Sequence, residues 1–265
     1  TTSPDLTIAT LKTAVTRAAA RSLRCGSSST RQALPHLAWD AGPHDRLGTS
    51  KAREEPLFGA AVIKVASYNI RKAIGTDRLR RPERILGVLG EMEPQIVALQ
   101  EADRRFGPRQ AAIPPEMIEA HSDLVPVPFE TRPDSIGWHG NAILVPRTAE
   151  ILHHQPIEIP SLEPRGAVMA EIGIGNRVLR VVGMHLDLSG LWRRKQVRAI
   201  LESIASRPDA IPTVLMGDLN EWAHHRGCLA EFLHDYRIAF TGPSFHSRRP
   251  IARLDRIMVG EGLRI

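Results

Sequence analysis

Several apolar runs of the chain end in a polar side chain that a hydrophobic core would not require. These side chains are Asn69, Glu101, His185, Asp218 and Asn220. In layered α/β folds, functional sites form at the ends of strands, so we expect these residues to converge on one point. Carboxylate and amide oxygens suit Mg²⁺ or Mn²⁺, and Mg²⁺ is commonly held by one or two carboxylates with phosphate and water completing its shell.

The elements that must position these residues can be predicted from hydrophobic patterning. A helix is predicted over 82–92, because Pro82 suits its first turn and apolar residues follow at helical spacing. Two further helices are predicted over 115–121 and 192–204, and a hairpin over 168–184. Buried strands are predicted at 62–66, 96–99, 142–145, 213–216 and 257–259. The mixture of strand–helix–strand units and a hairpin indicates an α/β fold with mixed sheets covered by helices.

Composition limits the class of protein. The chain has 265 residues, 24% of them charged, and a net charge of +6. No apolar run approaches the roughly 18 to 20 residues that span a bilayer. The two cysteines exclude a disulfide framework and a cysteine-rich zinc site, and they fit a reducing compartment, so we expect a cytoplasmic protein. A positive charge indicates an anionic partner such as phosphate, nucleic acid or a lipid head group.

The first 60 residues differ from the rest. They are rich in Ala, Ser, Thr and Arg, and residues 6–23 have some helical spacing. We expect residues 1–60 to be a disordered or non-native extension, and residues 61–265 to form the functional domain. We expect the protein to be a monomer.

Six short blocks, taken in order, resemble the signature of the endonuclease/exonuclease/phosphatase superfamily of DNase I-like metal-dependent phosphohydrolases. The blocks are 67–70, 99–101, 140–143, 184–186, 217–220 and 253–257. The resemblance implies a four-layered α/β sandwich of two packed mixed β-sheets flanked by helices. It also implies Mg²⁺-dependent hydrolysis of a phosphodiester or phosphomonoester bond, with Mn²⁺ as an alternative metal.

The same resemblance implies roles for the strand-end residues. Glu101 would be the principal metal ligand, supported by Asn69. Asp218 would activate the attacking water, and Asn220 would hold the phosphoryl group or that water. His185 would contact a non-bridging phosphate oxygen and stabilise charge in the transition state.

The C-terminal part departs from the family pattern. Asp255 matches an aspartate that, in the family, orients a histidine in a later Ser-Asp-His block, and no such block follows here. We therefore expect the domain to be incomplete at its C-terminus. His246 precedes Asp255 and is out of order for that role. Asn141 would line the substrate site, and Asp255 would belong to the catalytic group.

Several alternatives stay open. The substrate could be DNA, a small phosphodiester or a phospholipid head group. A non-catalytic phosphate- or nucleic-acid-binding module is a second class, and a structural or interaction protein on the same scaffold is a third. The basic run 193–198 is expected to be a solvated helix face, and the pairs His153–His154 and His224–His225 are not expected to bind metal, since neighbours on a strand face opposite sides.

Overall fold

Two six-stranded mixed sheets pack face to face in the computed structural model, which describes residues 6–10, 62–104, 109–129 and 134–265. The first sheet has the order β12-β1-β2-β3-β5-β4, and its strands are Leu6–Thr10 (β1), Val62–Asn69 (β2), Ile96–Gln100 (β3), Leu124–Pro126 (β4), Ala142–Pro146 (β5) and Leu263–Arg264 (β12). The second has the order β10-β11-β9-β8-β7-β6, and its strands are Glu150–Ile157 (β6), Gly166–Ile174 (β7), Arg177–His185 (β8), Thr213–Asp218 (β9), Arg237–Ile238 (β10) and Asp255–Val259 (β11).

Helices cover the outer face of each sheet. They are Pro82–Met92 (α1), Pro115–His121 (α2), Gly190–Ala205 (α3) and Leu229–Phe232 (α4). One core lies between the sheets, a second lies under α1 and α2, and a third lies under α3 and α4. The four layers confirm the predicted α/β sandwich.

Helix α1 shows how patterning produces one of these layers. Pro82 stands at its first turn, and Glu93 ends it with a left-handed backbone (φ 48°). Ile85 and Leu89 are among four buried apolar residues that face the first sheet. Burying each such side chain contributes about 1.5–3 kcal/mol, which outweighs the weak intrinsic stability of an isolated short helix.

The first sheet contains a strand that the sequence did not indicate. Residues 6–10, which have helical spacing in the sequence, form β1 between β2 and β12, parallel to both. Leu6 and Ile8 are buried in the core between the sheets, so for these five residues the tertiary pairing overrides the local pattern. The remainder of 1–60 lies outside the described residues, and the expectation for it stays a prediction.

Four further strands, β4, β6, β10 and β12, were not predicted, and all four lie at sheet edges. Strands β10 and β12 are only two residues long. Strand β4 is only three residues long, and β6 alternates exposed and half-buried residues at the sheet edge. Edge strands carry a weaker apolar signal than central ones, which explains why patterning missed them. In the described part of the chain, none of the helices is both long and apolar enough to cross a membrane.

Candidate active site

The predicted strand-end residues meet at one edge of the sandwich. Strand β2 runs parallel to β3, and the register of Asn69 with Gln100 places Asn69 beside Glu101. In the second sheet, His185 at the end of β8 pairs with Asp218 at the end of β9. Because Asp255 begins β11 antiparallel to β9, it is also in register with Asp218.

Asn69 links the carboxylates of the two sheets. Its Nδ2 lies 3.4 Å from Glu101 Oε1 and 3.0 Å from Asp218 Oδ2. The other oxygen of Asp218 accepts a 3.0 Å hydrogen bond from the backbone N–H of Asn220. The side-chain amide of Asn220 donates to the carbonyl of Leu186 at 2.9 Å, which ties the loops after β8 and β9 together. A single amide group therefore sets the spacing between the two acids.

Site residues on both sheets adopt left-handed backbone conformations. Glu101 has φ 53°, Lys72 has φ 59° and Asn220 has φ 49°. Asn tolerates this region, whereas Glu and Lys pay a cost of about 1–3 kcal/mol each. The turn places the backbone N–H of Lys72 3.0 Å from the carbonyl oxygen of Glu101. Backbone strain of this kind is concentrated at functional sites, and here it occurs in the turns that orient the side chains of Glu101 and Lys72.

Gly217 allows His185 and Asp218 to approach one another. A Cβ atom at residue 217 would lie 2.0 Å from the carbonyl oxygen of Met184 on the neighbouring strand. Any larger residue would force β8 and β9 apart at the point where their polar ends meet. The glycine before Asp218 is therefore required by close packing of the backbone.

His185 is buried and neutral. Burial holds the pKa of its imidazole below the usual value; Arg165 adds to the lowering, and the Asp218 carboxylate opposes it. His185 Nε2 lies 3.8 Å from Asp218 Oδ2, and the Nη1 of Arg165 lies 3.0 Å from His185 Nδ1. Arg165 also pairs with Glu163. Arg165 belongs to a loop without regular patterning, so the sequence offered no signal that it would reach the site.

Asp255 is a buried acid that favours its protonated form. Burial, followed by the charge of Asp218, raises the pKa of Asp255 to about 8. Ser244 opposes this shift through a side-chain hydrogen bond, and its Oγ accepts 3.2 Å hydrogen bonds from the N–H groups of Leu254 and Asp255. The Oδ1 atom of Asp255 is buried without a hydrogen-bond partner among the described residues.

Glu101 carries a charge that a cation already balances. Burial works to raise the pKa of Glu101, but the Lys72 ammonium, with help from the amide of Asn69, holds it below the usual value. Lys72 Nζ forms a salt bridge with Glu101 Oε2. The described residues contain no group of three or more His, Cys, Asp or Glu placed to bind a metal. Asn69 turns its amide nitrogen toward Glu101, and its Oδ1 accepts a 3.1 Å hydrogen bond from the N–H of Arg71. A single carboxylate supported in this way fits Mg²⁺, which keeps several waters, and does not fit a closed zinc site.

Two adjoining cavities open at this point. The larger, of about 440 Å³, is lined by Asn69, Glu101, His185, Asp218, Asn220 and Asp255 together with loop residues. His246 also lines it, although sequence order placed His246 outside the site. The smaller, of about 90 Å³, shares Glu101, Arg165 and His185 and adds Lys72, Arg104, Arg109 and His139.

Asn141 is the predicted site residue that the structure sets apart. It is fully buried, its Nδ2 lies 3.3 Å from the carbonyl oxygen of Trp138, and it lines neither cavity. Trp138 packs against the core between the sheets. Asn141 could therefore affect the substrate only indirectly, through the loop that carries Trp138.

Arg193 corrects the expectation of a solvated basic helix face. Only 8% of its surface is exposed, and its Nη2 pairs with Glu221 Oε2 at 3.2 Å. Its Nη1 donates to the carbonyl of Leu188 at 2.6 Å. Glu221 follows Asn220 directly and accepts from the backbone of Ala223. This buried pair fixes the two loops that carry His185 and Asp218, whereas Arg194 beside it is exposed.

The paired histidines lie outside the cluster of acids. His153 contacts Gln155 at 3.2 Å on β6, and the His154 ring packs edge-on against Phe129. His224 and His225 are exposed on the loop after β9. Neither pair belongs to a group of metal ligands in the described part of the chain.

The chain belongs to the endonuclease/exonuclease/phosphatase family, whose model matches residues 66–265. In sequence it is similar to the uncharacterized protein YbhP of Escherichia coli, with 29% identity over 131 residues. That alignment covers 46% of this chain and 52% of YbhP, so the chain matches about half the length of this relative.

Solved structures share the fold at low sequence identity. A mannosyl-6-phosphatase of Bacteroides thetaiotaomicron has a TM-score of 0.57 and 18% identity, over 74% of this chain and 85% of that one. The human Nocturnin catalytic domain with bound sulfate has a TM-score of 0.54 and 17% identity, over 75% and 82%. Danio rerio TDP2 complexed with single-strand DNA product has a TM-score of 0.53 and 16% identity, over 74% and 82%. At such identities the likeness establishes the fold alone.

Proposed function

We propose that this protein is a divalent-metal-dependent hydrolase of phosphate esters, with a phosphodiester or a phosphomonoester as substrate. The observation that carries the proposal is the bridge made by Asn69, whose Nδ2 lies 3.4 Å from Glu101 Oε1 and 3.0 Å from Asp218 Oδ2. It brings a carboxylate from each sheet into one cavity of about 440 Å³. Membership of the family supports the reaction class.

Glu101 would hold Mg²⁺, or Mn²⁺, at the edge of the first sheet, and Asn69 would support this carboxylate through its amide N–H. The pairing of Lys72 with Glu101 supports this assignment, because it makes the position beside Glu101 a site that stabilises positive charge. When bound, the metal would polarise the phosphoryl group and stabilise the leaving oxygen. Glu101 would remain ionised throughout, since its pKa lies below the usual value.

The residues of the second sheet would handle the water and the transferred phosphoryl group. Asp218 would orient the water and accept its proton, with its other oxygen held by the N–H of Asn220 at 3.0 Å. His185, neutral in its buried position, would donate its ring N–H to a phosphate oxygen. Arg165, whose Nη1 contacts both ring nitrogens of His185, would add a positive charge next to that oxygen.

The proposal is tested by hydrolysis of a panel of substrates by purified protein with Mg²⁺. The panel comprises bis(p-nitrophenyl) phosphate, p-nitrophenyl phosphate, supercoiled plasmid and phospholipid vesicles. We expect turnover of at least one substrate that EDTA abolishes and that Glu101→Ala lacks. Plasmid nicking that persists in Glu101→Ala would identify a contaminating nuclease and remove DNA from the candidates.

A second candidate is a phosphate-binding module without turnover. The buried Oδ1 of Asp255, which has no hydrogen-bond partner among the described residues, favours it, because a complete catalytic group would normally satisfy that oxygen. This candidate predicts that the wild-type protein binds Mg²⁺ and inorganic phosphate but hydrolyses none of the four substrates. A monomeric state and a cytoplasmic location remain predictions from composition.

A further inference from the structure

Large apolar side chains are exposed around one side of the larger cavity. Leu188 and Phe245 line that cavity and are nonetheless 62% and 43% exposed. Leu191, Trp222 and Ile251 are 57%, 59% and 71% exposed. We call these five residues the apolar rim. Single exposed apolar residues are ordinary on a protein surface, but a group of them beside a cavity indicates a binding surface.

Contacts join the three segments that carry the rim, and the pair of Arg193 with Glu221 links the start of α3 to the segment of Trp222. The rings of Trp222 and Phe245 meet edge-on, with centroids 5.8 Å apart. The N–H of Ile251 donates to the carbonyl of Phe245 at 2.6 Å, which folds the loop 245–251 back on itself. Leu188 is fixed by the hydrogen bond that its carbonyl accepts from Arg193. These contacts present the apolar side chains from a fixed framework.

The exposed acidic and basic side chains of the segments that carry the rim have one sign of charge. The segments 188–195, 222–226 and 245–253 contain no Asp or Glu. They carry five exposed basic residues, which are Arg194, Lys195, Arg226, Arg248 and Arg249. Since the whole chain has 29 acidic residues, three neighbouring segments without any create a local excess of positive charge.

We propose that the apolar rim and its basic residues dock the protein on an anionic phospholipid bilayer, with the mouth of the larger cavity facing the lipid. Aliphatic and aromatic side chains gain free energy by entering the acyl boundary, and Arg and Lys are attracted to anionic head groups. The proposal rests on the proposed function for its chemistry, since the substrate would be a phosphodiester of a phospholipid.

The composition of the rim favours a bilayer over a nucleic acid. Single-stranded nucleic acids are bound by aromatic side chains on which bases stack, combined with basic grooves. Leu188, Leu191 and Ile251 are aliphatic and offer no stacking surface, but they are suited to a hydrocarbon boundary. Because Leu188 and Phe245 belong both to the rim and to the cavity wall, docking would bring a lipid head group directly to the acids.

Co-sedimentation with vesicles tests the proposal. We would compare phosphatidylcholine vesicles with vesicles containing phosphatidylglycerol, in the presence of Mg²⁺ and at two salt concentrations. The wild-type protein should bind the anionic vesicles at least tenfold more tightly. The variant Leu191→Ser/Ile251→Ser should lose about tenfold in binding at both salt concentrations, and Arg248→Glu/Arg249→Glu should lose the preference for anionic lipid.

A matched control uses exposed apolar residues away from the cavity. Leu152 is 48% exposed on β6, and Val178 is 38% exposed at the end of β8 opposite His185. Leu152→Ser/Val178→Ser should bind vesicles as the wild type does. Thermal unfolding of each variant confirms folding, and hydrolysis of a small soluble phosphodiester should be unchanged in Leu191→Ser/Ile251→Ser.

The outcomes separate this proposal from the proposed function. Wild-type protein that hydrolyses a soluble phosphodiester but binds neither kind of vesicle overturns the docking proposal alone. Vesicle binding that depends on the rim, without hydrolysis of any substrate, supports docking and contradicts the enzyme. If a labelled single-stranded oligonucleotide binds through the rim residues while vesicles do not, the partner is a nucleic acid and the proposal is wrong.

Discussion

The two sheets bring chemically different edges to the same cavity. On the first-sheet edge, the side chains of Glu101 and Lys72 are each 26% exposed. On the second-sheet edge, the side chains of His185 and Asp218 are 6% and 11% exposed. Water therefore reaches the first edge more readily than the second, although Asn69 joins them by hydrogen bonds to both acids.

This difference in hydration decides which protonation states each edge favours. At the first edge a partner cation keeps Glu101 ionised, with its pKa below the usual value. At the second edge burial favours neutral groups: it lowers the pKa of His185 and raises the pKa of Asp255 to about 8. Thus the first edge is suited to binding a cation, and the second is suited to holding and moving protons.

The largest effect is expected when the proton acceptor Asp218 is removed from the second-sheet edge. Asp218→Ala should lower kcat by about 1,000-fold, since general base catalysis contributes about 100- to 10,000-fold. Substrate binding should be largely spared, because Glu101 and Asn69 remain. Steady-state kinetics on the best substrate of the panel measures both effects. Activity within tenfold of the wild type would contradict the role given to Asp218.

The next largest effect is expected for the buried pair of Arg193 and Glu221, which lies beside the second-sheet edge. Arg193→Met should lower the free energy of unfolding by about 3 kcal/mol, because it leaves Glu221 buried without its cation. Chemical denaturation measures this loss. The neighbouring Arg194 is exposed, so Arg194→Met should change stability by less than about 0.5 kcal/mol. Equal effects of the two substitutions would show that the buried pair has no special importance.

The pH dependence of stability tests whether Asp255, on the second-sheet edge, is protonated in the folded protein. The pKa of Asp255 rises from 3.8 to about 8 on folding. Between these values the folded chain holds a proton that the unfolded chain has released, so this group's contribution to stability falls as pH rises toward 8. Asp255→Asn cannot ionise and should be more stable than the wild type at pH 9, by about 2 kcal/mol or more, but not at pH 4.

Denaturation in metal-free buffer at several pH values checks this prediction. Asp235 is exposed, so Asp235→Asn is the matched control and should follow the wild-type curve. A wild-type protein whose stability relative to Asp255→Asn is the same at pH 4 and pH 9 would show that Asp255 is ionised when folded.

The smallest effect is expected at the first-sheet edge. Lys72 competes with a divalent ion for Glu101, so Lys72→Met should bind Mg²⁺ about threefold more tightly. Isothermal titration calorimetry measures the affinity, and Arg71→Met, which removes an exposed neighbouring charge, should leave it nearly unchanged. Weaker binding in Lys72→Met than in the wild type would mean that Lys72 supports the metal site.

The site residues at the strand ends were predictable from sequence because the hydrophobic pattern shows where each buried strand ends. Asn69, Glu101, His185 and Asp218 each follow an apolar run, and the layered fold brings such ends together. The four-layered architecture itself followed from the resemblance, and the structure confirms it.

Features that depend on pairing between distant segments could not be predicted. Strand β1 is defined by its neighbours β2 and β12, which lie far away in the chain. Lys72 reaches Glu101 through a left-handed turn of non-glycine residues, which local preferences disfavour. Arg193 lies in a basic run that resembles a solvated face, and only its pairing with Glu221 accounts for its burial. Four of the five residues of the apolar rim lie in loops and Leu191 lies in the first turn of α3, so no periodicity marks the group.

The proposed mechanism requires that Glu101, on the first-sheet edge, binds a divalent cation next to His185 and Asp218 on the second-sheet edge. The most direct test is a titration of the wild-type protein and of Glu101→Gln with Mg²⁺ and with Mn²⁺, followed by calorimetry and, for Mn²⁺, by electron paramagnetic resonance. We predict one ion per chain in the wild type and at least about tenfold weaker binding in Glu101→Gln, which removes one charge from the site. A wild-type protein that binds neither ion, or a Glu101→Gln variant with unchanged affinity, would contradict the account.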